Sequence, residues 1–214
     1  MAGMIPVIVL AAGGSTRMGT PKATLPCPGG GTFLTRIVTT FLEAGADDVV
    51  VVVGKDGEAV IEQFKISRLP ARFVENQRHE AGQLTSVVAG LHLVDRPGVI
   101  GTLVTLVDIP LVSADTVRAV IDRYLKTRVP IVRPTSGARH GHPLLIDRSL
   151  FDALRHAQPE TGAKPIVRAH ASRLGDVEID DEGAFADVDT PADYENLIRA
   201  FGGADARTRN RVSR

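Results

Sequence analysis

Three stretches of the chain carry side chains whose type and spacing suit phosphate and metal chemistry. The first runs Leu10-Ala11-Ala12-Gly13-Gly14-Ser15-Thr16-Arg17-Met18-Gly19-Thr20-Pro21-Lys22. Its glycines let the backbone approach a ligand closely and turn amide N–H groups toward anionic oxygens. Arg17 adds a planar fork for phosphate, and Lys22 adds a mobile point charge. Glycines, a hydroxyl pair and two cations in one loop fit a triphosphate. The loop is not a Walker A motif, because the Gly-Lys-Ser/Thr ending is missing, and it lacks the G-x-G-x-x-G spacing of a dinucleotide fingerprint.

The second stretch is Asp108, which follows an apolar run. A carboxylate at a strand's end beside a phosphate loop is a natural Mg2+ ligand, since Mg2+ takes one or two carboxylates plus substrate phosphates. The third is Asp187-Val188-Asp189. Extended backbone alternates its side chains, so the two carboxylates would share a side, and one of them would complete a metal site with Asp108. Asp189 and Thr190 also fit a cap for a helix opened by Pro191.

Fainter signals lie elsewhere. Gly82, where a loop enters a helix, permits close approach, and Ser86 offers a hydroxyl to a base edge or ribose. His142 lies between Gly141 and Pro143 in a polar loop and suits contact with an acceptor or a metal-bound phosphate. Lys164 near a helix start is unfavourable unless an anion is present, which suits an acceptor phosphate. Cys27 has no base partner nearby in sequence, so no catalytic thiol is expected.

Such residues need a scaffold. Apolar, β-branched runs predict strands over 6–11, 48–53, 71–75, 102–107 and 174–179, with short ones over 130–133 and 143–146. Amphipathic spacing predicts helices over 32–44, 56–64, 84–94, 113–127, 148–156, 161–171 and 191–201. Thr32 and Ser113 read as caps, and Pro191 as a first helical residue. Strands alternating with helices mean βαβ units and a mostly parallel sheet. Such sheets bind ligands beyond the carboxyl ends of their strands, so chemistry is expected just after Ala11, Glu75 and Val107.

The 214 residues suit one domain, over 1–201, and the arginine-bearing stretch 202–214 reads as a disordered tail. A net charge of zero and 4% aromatics without Trp argue against nucleic acid as a partner. No apolar run is long enough for a bilayer, so no membrane partner is expected. A single cysteine excludes an internal disulfide and suits a reducing compartment; with no signal peptide visible, the expected location is cytoplasmic.

The glycine loop resembles the signature of the MobA-like nucleotidyltransferases, the group that includes molybdenum cofactor cytidylyltransferases and guanylyltransferases. The resemblance runs from about Ile5 to Phe201. It continues through Glu75-Asn76, Gly82-Gln83-Leu84-Thr85-Ser86, Val107-Asp108-Ile109-Pro110, Gly141-His142-Pro143, Gly162-Ala163-Lys164 and Asp187-Val188-Asp189-Thr190-Pro191. The Gly-His-Pro and Asp-x-Asp-Thr-Pro motifs look most like the cytidylyltransferase branch. The segment Leu25-Pro26-Cys27-Pro28-Gly29-Gly30-Gly31-Thr32 is more glycine-rich than the family pattern.

The resemblance implies an α/β, Rossmann-like, three-layer αβα nucleotidyltransferase fold. It implies Mg2+-dependent transfer of a nucleoside monophosphate from an NTP, CTP first, to a phosphate-bearing acceptor, molybdopterin first. It assigns nucleotide binding to Leu10, Ala11, Ala12, Gly13, Gly14, Ser15, Arg17, Lys22, Asn76, Gly82, Gln83 and Ser86. It gives the metal to Asp108 and Asp189, and the acceptor to His142, Lys164 and Asp187. Arg17, Lys22 and Asp108 would be catalytic: Arg17 on the β- and γ-phosphates, Lys22 on the α-phosphate, Asp108 through the metal. A phosphate monoester is largely dianionic at neutral pH, so no strong general base is required. Leu-Ala-Ala-Gly, in place of Leu-Ala-Gly-Gly, puts the Ala12 methyl in the base pocket and favours a pyrimidine. A client molybdoenzyme or chaperone is an implied partner. The alternatives are a guanylyltransferase, a sugar- or alditol-phosphate nucleotidyltransferase, or a nucleotide-binding protein that handles cofactor without turnover.

Overall fold

The computed structural model describes residues 3–13, 19–55 and 57–201. Gly14, Ser15 and Arg17, and the tail over 202–214, lie outside the described residues. The strands are β1 (Val7–Ala11), β2 (Val49–Val53), β3 (Arg72–Glu75), β4 (Gly101–Leu106), β5 (Ile131–Ser136), β6 (Arg139–His140), β7 (Leu144–Asp147) and β8 (Asp176–Glu178). The helices are α1 (Phe33–Glu43), α2 (Gly57–Lys65), α3 (Gln83–Val94), α4 (Ala114–Thr127), α5 (Phe151–His156), α6 (Lys164–His170) and α7 (Pro191–Phe201).

One sheet runs in the order β3-β2-β1-β4-β7-β5-β6, with β8 beside β5. Strands β3, β2, β1 and β4 are parallel. Strand β7 runs antiparallel to both β4 and β5. The sheet is therefore mixed and mostly parallel, with its parallel half carrying the strand exits singled out by sequence.

The central strands are buried on both faces, which is why their sequences read as unbroken apolar runs. On one face Val7, Val9, Val51 and Leu103 pack with Leu34, Ile37 and Phe41 of α1 and Val117, Val120 and Tyr124 of α4. On the other, Ile8, Val50, Val52 and Val104 pack with Leu84, Leu91 and Val94 of α3 and Phe151 and Leu154 of α5. Helices on both faces make three layers. Among the described residues no helix is long and apolar enough to cross a membrane.

Local chemistry sets the helix ends. Thr32 and Thr35 cap α1 reciprocally: each backbone N–H donates to the other's hydroxyl. Helix α6 is shorter than the 161–171 expected, because residues 158–162 form a turn closed by Thr161 N–H on the Gln158 carbonyl. The 148–156 segment starts as a single 3-10 turn before α5. The glycine-rich segment is a tight hairpin-like turn in which Pro26 pairs with Thr32. It buries Cys27, and burial pushes that thiol's pKa up to about 11, so it is no nucleophile.

Candidate active site

A cleft of about 280 Å3 opens at the carboxyl ends of β1 and β4, against the first turn of α3. Strand β1 delivers Leu10, Ala12 and Gly13 to its wall. Ala11 is turned away from this cleft by the strand's alternation and packs with the α1 face of the core. Gln83 and Ser86 on the first turn of α3 line the opposite wall, and Leu106 and Val107 the floor beside Asp108.

At the acidic end, Lys22 projects from a single 3-10 turn just past the glycine loop. Its ammonium lies 3.2 Å from Asp108 Oδ2 and 2.5 Å from Asp189 Oδ1. Burial alone would lower the lysine pKa, but hydrogen bonds and charge from Asp189 and Asp108 outweigh it and hold it above the ordinary value. The side chain is thus a permanent cation wedged between two carboxylates.

Asp108 Oδ1 is buried and has no hydrogen-bond partner among the described residues. An unpaired buried carboxylate oxygen is costly, and a cation bound there would relieve it. Two hard carboxylate donors suit Mg2+ or Mn2+. Among the described residues no group of three or more His, Cys, Asp and Glu side chains forms a fuller metal cage. The carboxylates therefore fit a cation whose remaining ligands come from substrate phosphates and water.

A long-range backbone contact brings Asp189 here: Val188 N–H donates to the Asp108 carbonyl at 2.9 Å. Asp189 does not cap α7. Thr190 does: its hydroxyl accepts from Asp193 N–H at 3.2 Å, and the Asp193 carboxylate accepts in return from the Thr190 N–H and hydroxyl at 2.8 and 2.7 Å. The expectation that Asp187 and Asp189 share a side is corrected. Residues 186–189 are not in a strand, and Asp187 instead borders a separate shallow recess against α7 with Asp193 and Asn196.

Three further candidate residues stand off the cleft wall. Asn76 is buried and does not line the cleft. Its Nδ2 donates to Thr85 Oγ1 at 2.8 Å and Ser86 Oγ at 2.9 Å, and its Oδ1 accepts from Arg78 N–H at 3.0 Å. It is a bracket that ties the exit of β3 to the first turn of α3. His142 is also absent from the cleft wall. It is fixed against β4, with its Nδ1 donating to the Val104 carbonyl at 3.4 Å and its backbone N–H to Ala184. Burial holds its pKa below the ordinary histidine value, opposed by that hydrogen bond and by the charge of Asp108. Lys164 is exposed at the start of α6 and does not reach the cleft wall.

Gly82 caps α3 at φ +114°, a conformation that L side chains rarely adopt, and a Cβ there would come within 3.1 Å of the Pro159 carbonyl. It lets the first turn of α3 open onto the cleft without lining the wall itself. Sequence reasoning missed His79, which lines the wall and whose Nδ1 donates to the Asn76 carbonyl at 3.2 Å. Its ring packs over Gly54, where a Cβ would lie 2.9 Å from the Ala12 carbonyl and 3.2 Å from the ring. The signal was available, since His79 follows the β3 exit that the fold argument marks.

The model of the MobA-like NTP transferase domain matches residues 7–174. A nicotine blue oxidoreductase from Paenarthrobacter nicotinovorans is 31% identical over 89% of this chain and 95% of its own length. A probable molybdenum cofactor guanylyltransferase from Rhodopirellula baltica is 33% identical over 75% of this chain and 83% of its own. The crystal structure of Rv0371c from Mycobacterium tuberculosis H37Rv superposes with a TM-score of 0.78 at 28% identity, covering 93% of this chain and 99% of that one. A manganese complex of Rv0371c superposes with a TM-score of 0.72 at 26% identity, covering 93% of this chain and 100% of that one.

Proposed function

Because the chain belongs to the MobA-like NTP transferase family, we propose that it transfers a nucleoside monophosphate from an NTP to a phosphate-bearing acceptor, releasing pyrophosphate. The observation that carries this reading is the Lys22–Asp108–Asp189 cluster, with its orphaned Asp108 oxygen, at one end of a cleft whose other end is apolar and hydroxyl-bearing.

In this reading Leu10, Leu106 and the Ala12 methyl form the apolar bed for the base, while Ser86 and the first turn of α3 face its edge or ribose. Gly13 starts the backbone cradle for the phosphates, with Arg17 on the β- and γ-phosphates. Lys22 turns to the α-phosphate and meets the charge that grows there in the transition state. An acceptor phosphate oxygen attacks the α-phosphorus; that P–O bond forms as the bond to the β-phosphate oxygen breaks, and pyrophosphate leaves with the electron pair. Asp108 and Asp189 would hold Mg2+, which supplies charge neutralisation to the phosphates. No side chain needs to remove a proton, because the attacking phosphate is already largely dianionic at neutral pH.

Support divides over the base. The buried Ala12 methyl in the cleft wall favours the smaller cytosine, so CTP is the first nucleotide to test. Relatives named molybdenum cofactor guanylyltransferase favour GTP, and they also favour molybdopterin as the acceptor. The relative named nicotine blue oxidoreductase supports a second reading, in which the same cleft takes a nucleotide cofactor of a redox reaction.

A thermal-shift panel tests all three. A ligand at 100 times its Kd stabilises by about 2.7 kcal/mol. A Mg2+-dependent shift with CTP, followed by pyrophosphate release when molybdopterin is added, supports the reading. The same result with GTP changes the base and keeps the reaction. A shift with NADH or NADPH alone and no pyrophosphate release favours the redox reading.

A further inference from the structure

The Lys22 ammonium lies between the two carboxylates that would hold a metal. Mg2+ binds carboxylate oxygens at about 2.0–2.1 Å. Lys22 Nζ lies 2.5 Å from Asp189 Oδ1 and 3.2 Å from Asp108 Oδ2, so it occupies space beside the carboxylates that a divalent ion would need. Charge leads to the same conclusion. Among the described residues, one ammonium between two carboxylates leaves a net charge of −1, and a divalent ion added without other change would bring it to +1. A triphosphate alters the balance, because it offers Lys22 another anion.

The surroundings suit an exchange of cations. The lysine side chain is only 14% exposed, whereas that of Asp189 is 48% exposed, so one partner can yield toward solvent. A flexible four-carbon stem lets the ammonium move without the backbone. Asp108 Oδ1, which has no hydrogen-bond partner among the described residues, gives an arriving ion a first ligand before the exchange is complete.

We infer that the Lys22 ammonium is the resident cation of the Asp108–Asp189 pair, and that it holds a divalent ion out until a nucleoside triphosphate draws the lysine away. Metal loading is then nucleotide-dependent, and the protein alone is a poor metal binder. This rests on the nucleotidyltransferase reading of the cleft, but its test uses no turnover.

The experiment measures Mn2+ binding to the full chain by the loss of the free-ion EPR signal, without nucleotide and without acceptor. Lys22→Ala and Lys22→Met remove the charge, the second keeping most of the stem. Each is expected to bind Mn2+ at least tenfold more tightly than the wild type, and adding Asp108→Asn is expected to abolish that gain. In EDTA both Lys22 variants should melt below the wild type, and millimolar Mg2+ should restore them while leaving the wild type unchanged. Equal Mn2+ affinity in wild type and Lys22 variants, with Asp108 still required, overturns the inference and leaves the proposed reaction standing. Absence of any Asp108-dependent Mn2+ binding, even when CTP or GTP is present, overturns the inference together with the metal assignment of the proposed reaction.

Discussion

Replacing Asn76 by alanine separates a bracket from a ligand contact. The structure gives the side chain three hydrogen bonds, to Thr85 Oγ1, Ser86 Oγ and Arg78 N–H, in a residue only 6% exposed. At about 1 kcal/mol net for each bond, Asn76→Ala should cost about 3 kcal/mol. For a chain of this size that is a fall in Tm of about 6–12 °C, at about 2–4 °C per kcal/mol. The loosened first turn of α3 should raise the nucleotide KM about tenfold, or about 1.4 kcal/mol, with kcat nearly unchanged. Asn76→Asp keeps the acceptor for Arg78 N–H but puts lone pairs where Nδ2 gave hydrogens. The single Thr85 hydroxyl proton is already engaged between the carbonyls of Gly82 and Arg78, so it cannot turn freely to the new carboxylate, and this variant should recover only part of the loss. Thermal and urea unfolding give the stability, and initial rates of pyrophosphate release give the KM. A Tm within about 1 °C of wild type, together with a KM raised by about 100-fold or more, would refute the bracket and put Asn76 on the nucleotide.

Asp108→Asn and Lys22→Met should each lower pyrophosphate release by about 10²–10³-fold at saturating nucleotide and Mg2+, the scale of losing one transition-state stabiliser. Gly54→Ala places a Cβ 2.9 Å from the Ala12 carbonyl and 3.2 Å from the His79 ring, so the cleft wall must shift and the nucleotide KM should rise several-fold in steady-state assays. Gly141→Ala, whose Cβ would lie 2.5 Å from the Ala184 carbonyl away from the cleft, should instead lower Tm in a melting experiment and leave KM alone. His142 is held neutral by burial, with its pKa below the ordinary 6.5, so the unfolded chain takes up the proton first as pH falls. Its contribution should be present above pH 6.5 and be lost as pH drops toward the depressed folded value; His142→Gln should flatten that part of the urea-midpoint profile.

The parts of the fold that rest on local signals were legible. Strands β1, β2 and β4 are buried on both faces and so spell continuous apolar runs. Helix α7 spans the residues that Pro191 and its spacing predict, and α1 begins where Thr32 caps it. The insertion of β7 between β4 and β5 is a pairing between distant segments, and the two-residue β6 is too short to carry any period. The same division holds in the site. Asp108 stands just past the exit of β4, and Lys22 at the far end of the loop that leaves β1, so both belong to connections where a parallel sheet puts its chemistry. Asn76 also sits at a strand exit, but its partners are hydroxyls nine and ten residues away, and no local pattern shows that those hydroxyls would consume it.

The pair of aspartates near the C-terminus shows why a period alone could not choose between them. Alternation describes a strand whose edges are paired, and here the pairing partner is a single carbonyl. Val188 N–H reaches the Asp108 backbone, which anchors one point of the segment to the end of β4. On one side of that anchor the chain comes from the 3-10 turn over Glu182–Ala184; on the other it turns at Thr190 into α7. Asp189, next to the anchor on the α7 side, falls beside Lys22, while Asp187 falls beside Asn196. The acidic end of the cleft is therefore anchored by a backbone hydrogen bond between residues 80 positions apart, which brings Asp189 to the end of β4, where it and Asp108 share a lysine.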